Sequence, residues 1–228
     1  ALLRKRQYCQ PYHASFAHSL CKQDAFSFSK YVLRLNYQPF DSFSMSINTE
    51  FEQNPNKTQY ITDVDFNGTT RYITGAIDRQ TLSSSIRFNY SVNPNLSVQY
   101  YGQPFIANGR YSNFNFVHNA GAKDLNDRVT FFKENQISLV DDEYTIQENE
   151  DGMTYTFDDP DFSFVQFRSN LVLRWEYIPG SEIFLVWSQG INGDGNSRNH
   201  LFRNLNNQIL DQQPENTFLI KATYRFVL

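Results

Sequence analysis

A two-residue alternation recurs along most of this chain and constrains its fold more than any other feature. Read in steps of two, Phe167, Ser169, Leu171, Leu173, Trp175 and Tyr177 fall on one side. Arg168, Asn170, Val172, Arg174 and Glu176 fall on the other. Successive side chains of a strand point to opposite faces of a sheet, so such a stretch is a β-strand. The same pattern appears at Tyr31, Leu33, Leu35 and Tyr37, at Phe43, Met45, Ile47, Thr49 and Phe51, and at Ile86, Phe88, Tyr90 and Val92. It returns at Leu96, Val98 and Tyr100, and the chain ends on it with Phe218, Ile220, Ala222, Tyr224, Phe226 and Leu228. The joins "QPFDS", "NPN" and "IPGSE" are too short for a crossover, so the strands they connect are antiparallel hairpins. Two weaker strands flank the turn dipeptide Asn67-Gly68, over 57–66 and 70–78. About nine strands are expected, and the only helix candidate lies around residues 120–135.

Alternation alone does not name the solvent. In a soluble β-sandwich the apolar faces meet inside, whereas in a membrane barrel they look outward and the polar faces line a lumen. Mean hydropathy is −0.56, and no run approaches an apolar helical span. A barrel strand needs only about ten alternating residues, so this excludes no β-barrel. Three features favour the barrel. The apolar faces are rich in the chain's 21 Phe, 14 Tyr and 2 Trp, residues that favour membrane interfaces. Tight turns contrast with two long polar segments, 107–162 and 191–215. The chain also closes on an alternating aromatic strand. The expected fold is therefore all-β: an antiparallel up-and-down transmembrane β-barrel, or the C-terminal part of one, with long outer loops.

On this reading Leu171, Leu173, Trp175, Tyr177, Phe218, Ile220, Tyr224 and Phe226 face lipid. Arg34, Arg87, Arg168, Arg174, Glu176, Lys221 and Arg225 face the lumen, where Glu50, Glu52 and Glu176 provide carboxylates for an ion-pair network. Residues 1–28 are expected to be an irregular lead-in or a poorly matched strand, and 29–228 the barrel domain, with a long acidic loop at about 107–162.

Residues that could carry chemistry are sparse. Cys9, His13, His18 and Cys21 are zinc-ligand types, but their spacing fits no common zinc pattern. Residues 141–161 hold nine carboxylates: Asp141, Asp142, Glu143, Glu148, Glu150, Asp151, Asp158, Asp159 and Asp161. Calcium favours such oxygen ligands, although a solvated loop explains them as well. A hairpin around Asp151-Gly152 is expected inside this segment, and "NGDGNS" at 192–197 reads as a flexible turn. No G-x-S-x-G is present, and His118 and His200 sit in loop-like sequence. No cofactor and no catalytic residue is assigned. A net charge of −4 gives no argument for nucleic acid.

"RSNLVLRWEYIPGSEIFLVW" at 168–187 and "SVNPNLSVQYYGQPFIANGRY" at 91–111 resemble one family, as do "DDPDFSF" at 158–164 and "NTFLIKATYRF" at 216–226. The family comprises large outer-membrane proteins of Bacteroidetes-type bacteria. Their C-terminal part is a barrel-forming domain of unknown function, and their N-terminal part is often a family-9-like carbohydrate-binding domain. The resemblance covers about residues 30–228. It implies the bacterial outer membrane as location and its lipid as partner. It also implies a link to carbohydrate binding or polysaccharide breakdown through an N-terminal domain this sequence lacks, so that the chain looks like a C-terminal fragment whose strand set is small for the family's usual barrel. The function expected is a non-catalytic surface anchor or pore. The alternatives are a soluble all-β domain binding a hydrophobic or sugar ligand, and a membrane-embedded hydrolase.

Overall fold

The computed structural model describes residues 12–23, 26–148, 152–211 and 213–226. Eight long antiparallel strands form a meander: β1 (Tyr12–Lys22), β2 (Ser27–Phe40), β3 (Phe43–Phe66), β4 (Thr69–Asn93), β5 (Leu96–Val117), β10 (Phe162–Ile178), β11 (Ser181–Asp194) and β12 (Glu215–Thr223). Between β5 and β10 lie helix α1 (Leu125–Arg128), strand β6 (Val129–Phe131), which pairs with β5, and a small sheet. That sheet comprises β7 (Ile137–Val140), β8 (Glu143–Ile146) and β9 (Tyr155–Asp158). Helix α2 (Leu201–Asp211) joins β11 to β12. The fold is thus all-β, antiparallel and up-and-down. Closure is a different matter: among the described residues β1 and β12 are the two ends of an open path and do not pair with each other.

Turn chemistry sets the hairpins. Asn67 and Gly68 have φ of 55° and 70°, the double positive φ that a two-residue hairpin turn of the right twist requires. The Gly68 N–H donates to Asp65 Oδ1 at 3.0 Å. At the β10–β11 turn, Pro179 is followed by Gly180 with φ of 79°, and the Gly180 N–H donates to Glu176 Oε1 at 2.8 Å. Asn95 N–H donates to Asn93 Oδ1 at 2.9 Å and closes the β4–β5 turn.

Several expectations are corrected. Within 1–28, expected to be an irregular lead-in or a poorly matched strand, the described residues hold a strand, β1, whose Tyr12–Lys22 pair residue for residue with Tyr37–Ser27 of β2. Residues 57–66 and 70–78 are not separate crossings; they are the upper halves of the 24-residue β3 and the 25-residue β4. β3 runs straight through Pro55, where Asn54–Arg79 and Pro55–Asp78 remain in register. At that height β3 is leaving its β2 neighbour, and proline is tolerated where a strand has little or no second partner. The acidic segment begins only after Val117. It is built around the three-stranded β7–β8–β9 sheet, in which β8 pairs with β9 as expected; Asp151 of the expected turn, with Glu150, lies outside the described residues. The helix candidate at 120–135 is a single turn, α1, followed by β6. Residues 191–215 contain α2, whose Leu201, Leu205 and Ile209 recur every four residues along one side.

Two cores lie at the end opposite the tight turns. Phe66, Ile73 and Phe114 of the long strands pack against Ile146, Tyr155 and Phe157 of the small sheet. Leu82, Ile106 and Val165 pack under Leu201, with Phe51, Leu205 and Ile209 around them. The rest of the apolar face has no layer on it among the described residues: Ile106 and Val165 are 0% exposed, whereas Ile220 is 75% exposed and Phe218 72%.

Candidate functional site

The register of the meander turns an alternating sequence into two chemically opposite faces. One row crosses all eight strands through directly paired residues: Tyr12, Tyr37, Met45, Phe88, Tyr100, Leu171, Trp187 and Phe218. The row one residue away, on the other face, reads His13, Asn36, Ser46, Arg87, Tyr101, Asn170, Ser188 and Thr217. Every position of the first row is apolar or aromatic, and every position of the second carries a polar group.

The apolar face is a slanted band. The three tight turns lie at one end of the sheet, but not at one height in the register. The first residue after each turn is Phe43, Leu96 or Ser181, which lie 2, 4 and 6 residues below Met45, Tyr100 and Trp187 of the same row. Each hairpin lies two strands beyond the last, so the edge descends one residue per strand. With about 3.4 Å per residue and about 4.8 Å between strands, levelling the turns requires the strands to tilt by about 35°.

The same correction sorts the apolar side chains by height. Tyr12, Tyr37, Phe43, Tyr90, Trp175 and Tyr224, the last just past β12, come within one residue of a common level near the turns. Tyr31, Phe51, Trp187 and Phe218 form a second aromatic level. Between them lie Leu33, Leu35, Ile47, Ile86, Leu171, Leu173, Leu185 and Ile220. Aromatic contacts run along both levels: Phe43 and Tyr90 at 6.2 Å, Trp187 and Phe218 stacked at 5.9 Å, and Tyr224 edge-on to Phe226 at 4.8 Å.

Register thus gathers Leu171, Leu173, Trp175, Phe218 and Ile220 on this face. Tyr177 lies beside the Glu176/Ile178 irregularity, 6.1 Å from Trp175, and Tyr224 and Phe226 follow the end of β12. Arg34, Arg87, Arg168, Arg174, Glu176 and Lys221 share the polar face. Arg225 follows β12, its N–H donating to Ser181 Oγ at 3.0 Å.

The ion pairs on the polar face differ from those expected. Glu50 and Glu52 are held by Lys30, at 2.8 and 2.9 Å, a lysine the sequence reading passed over. Arg174 binds Glu182 and lies 3.9 Å from Glu176. Arg87 stacks over Tyr101 at 4.9 Å, and Arg168 donates to Asn192 Oδ1 at 3.3 Å. Lys221 lies 5.9 Å over Phe184. The signal for Lys30 was present in the alternation, because Lys30, Glu50 and Glu52 all fall on the polar side of their strands.

The acidic segment is structural. Arg71 grips Glu148 with two bonds of 3.2 Å while the Tyr155 hydroxyl donates to the same carboxylate at 2.5 Å. Arg71 also lies 4.5 Å over Phe116. Burial, then the bond to Glu148, pushes the Tyr155 phenol far up. Asp141 and Asp142 form the β7–β8 turn with φ of 50° and 62°. Asp161 accepts the Tyr111 N–H at 2.6 Å, yet burial raises its carboxyl above the usual range. Asp142, Asp159, Asp161 and Asp194 line a cleft of about 630 Å³ with Ser163, Asn196, Ser197 and Arg198. The expected flexible turn at 192–197 is pinned: Arg110 Nε and Asn108 Nδ2 donate to Ser197 O, and Asn204 Nδ2 to Asn196 O.

The remaining candidates do not converge. On β1, His13 and Cys21 share a face eight residues apart, about 27 Å along a strand. His18 lies on the opposite face, stacked on Tyr31 at 4.5 Å; Cys9 lies outside the described residues. His118 Nδ1 is 3.1 Å from Thr130 Oγ1, and His200 sits with Asp78, Gln80, Asn108, Arg110 and Asn199 around a small cavity of about 170 Å³. No group of three or more His, Cys, Asp or Glu is placed to hold a metal among the described residues.

No curated protein and no solved structure matches the chain. One family model does, over residues 5–227, so the family extends through β1 rather than beginning near residue 30. The chain belongs to the family described as domain of unknown function DUF5916.

Proposed function

We propose that this chain forms wall of an outer-membrane β-barrel, with the slanted apolar band against lipid and the polar face inward. The band itself supports this reading best. From Phe43 to Phe51, or from Phe167 to Trp175, it spans eight residues, about 27 Å along the strand and about 22 Å once tilted by 35°. Barrels of this kind carry an outer apolar band of about 25 Å between aromatic girdles, on strands tilted by about 35–45°. Eight strands tilted by 35° give the band a width of about 47 Å and an area of roughly 1,000 Å², beyond the largest apolar patch of most soluble monomers.

Helix α2 covers this face at Leu82, Ile106 and Val165, above the band, and among the described residues no layer lies over the band itself. Tight turns then lie on the periplasmic side, and the β3–β4 tip, the small sheet and α2 on the outer side. The wall is completed by pairing of the β1 and β12 edges, to each other or to further strands, since unpaired backbone groups are too costly in a bilayer. The role is a non-catalytic anchor or passage. A link to carbohydrate capture rests on the resemblance to outer-membrane proteins that carry a family-9-like domain. The test is gel mobility after refolding into detergent. Unboiled protein should migrate differently from boiled protein; a protein that stays soluble without detergent and shows no shift overturns the proposal.

A further inference from the structure

Charge on the polar face is sorted by register row. At the upper level Lys30 is neutralised by Glu50 and Glu52, and near the turns Arg174 is neutralised by Glu182 and Glu176. Between them in register lie two adjacent rows, which slant with the sheet, so that levelling the turns puts Arg34 and Arg87 at one height and Arg168 four residues above them, level with Lys30. One is the His13–Thr217 row. The other carries Ser15, Arg34, Asn48 and Ser85, then Gln103, Arg168, Gly190 and Glu215. They contain three arginines, Arg34, Arg87 and Arg168, and a single carboxylate, Glu215, on the β12 edge. None of the three arginines has a carboxylate within ion-pair distance among the described residues, and all three are exposed.

The arginines alternate with neutral strands. They sit on β2, β4 and β10, so neighbours are two strands, about 10 Å, apart. Two of them are held in place. Arg87 rests on the Tyr101 ring. Arg168 reaches across β11 to Asn192, over Gly190, where a side chain would collide with its guanidinium. Apart from Glu215, Gly190 and the His13 imidazole, the other groups in the two rows are hydroxyls and amides, which neither cancel this charge nor exclude water.

We propose that this arginine stripe, which climbs across the polar face, makes it selective for small inorganic anions. The proposal rests on the barrel reading above and names what the wall lets past. Rings of Arg or Lys are the usual device of anion pores, and an aqueous lumen bounded by low-dielectric walls concentrates the counter-ion of the charge that lines it.

The test uses the full chain refolded in detergent, first checked for the heat-dependent mobility shift, then added to a planar bilayer with unequal potassium chloride on the two sides. The proposal predicts conductance with chloride more permeant than potassium. The R34Q/R87Q/R168Q variant should lose that preference, with a permeability ratio falling towards one, and the corresponding triple lysine variant should keep it. Potassium preference in the parent overturns the proposal, as does a glutamine variant with unchanged selectivity. A protein that shifts on the gel and inserts but never conducts also overturns it while leaving the barrel standing. Failure to shift or insert removes the barrel reading and this proposal with it.

Discussion

An arginine walked along β10 separates lipid from protein as the cover of the apolar face. Leu171 lies at the middle of the tilted band, Trp175 at the turn-side aromatic level, and Asn170 beside Leu171 on the polar face. In a barrel wall, arginine on the lipid face costs about 2–4 kcal/mol at the bilayer midplane and about 0–1 kcal/mol near the interface. L171R should therefore lose about 3 kcal/mol and W175R about 1 kcal/mol or less. N170R, facing an aqueous lumen, should change stability by no more than about 0.5 kcal/mol. The tilt adds a sharper demand. Leu171 is in direct register with Phe218 through Trp187, but two strands of tilt bring it level with Ile220. I220R should match L171R, and Y224R should match W175R. The assay is reversible denaturant unfolding from phospholipid vesicles, with folded protein followed by its unboiled gel mobility. Equal costs for L171R and W175R, or a cost for N170R as large as that for L171R, would refute the assignment of the two faces.

The upper structures make their own predictions. E148A strands the Arg71 guanidinium and the Tyr155 hydroxyl and should cost about 3 kcal/mol, read as faster amide hydrogen exchange in β8 and β9 with β10 and β11 unchanged. The Tyr155 phenol is held neutral by burial and by Glu148, so its stabilising effect is complete below its ordinary value of 10.0 and is lost as pH rises above it. The small sheet should loosen in alkali, and Y155F, weaker at neutral pH, should lack that alkaline loss. Burial raises the Asp161 carboxyl above 3.8, so acidification towards that value should strengthen the Asp161–Tyr111 region until the carboxyl is protonated, and D161N should flatten the dependence. L201A removes a side chain that is 6% exposed and should cost about 2–4 kcal/mol of α2 docking, seen as protease cleavage within 195–212 while the strands stay protected.

Much of this architecture was legible in the residues because a sheet registers its two faces as alternation. Leu171, Trp187 and Phe218 share a face in the structure because each holds the same place in its strand's two-residue alternation. Asn67-Gly68, Pro179-Gly180 and Asn93-Pro94-Asn95 announce turns through backbone requirements local to a few residues. What was hidden depends on distant partners. β1 alternates Tyr12, Ala14, Phe16, His18 and Leu20 with His13, Ser15, Ala17, Ser19 and Cys21, but a histidine on the apolar side and alanines on both sides blur it. The continuity of β3 through Pro55 is not visible locally, because a proline's tolerance there depends on where β2 ends. α2 has only Leu201, Leu205 and Ile209 to show for its apolar stripe. Glu148 reads as one more charge in an acidic run, because Arg71 lies 77 residues away. The slant of the band needs every register at once, so no single strand reveals it.

The most direct test of where the band lies uses the chain's two tryptophans. Trp175 and Trp187 share the apolar face at its two aromatic levels. Single-tryptophan variants, W175F and W187F, would be refolded into vesicles whose acyl chains carry bromine at defined depths. Lipid contact predicts quenching of both tryptophans, strongest with bromines near the headgroups and weaker with bromines at the bilayer centre. Fluorescence indifferent to bromine at every depth would mean that protein or water, and not acyl chains, covers this face.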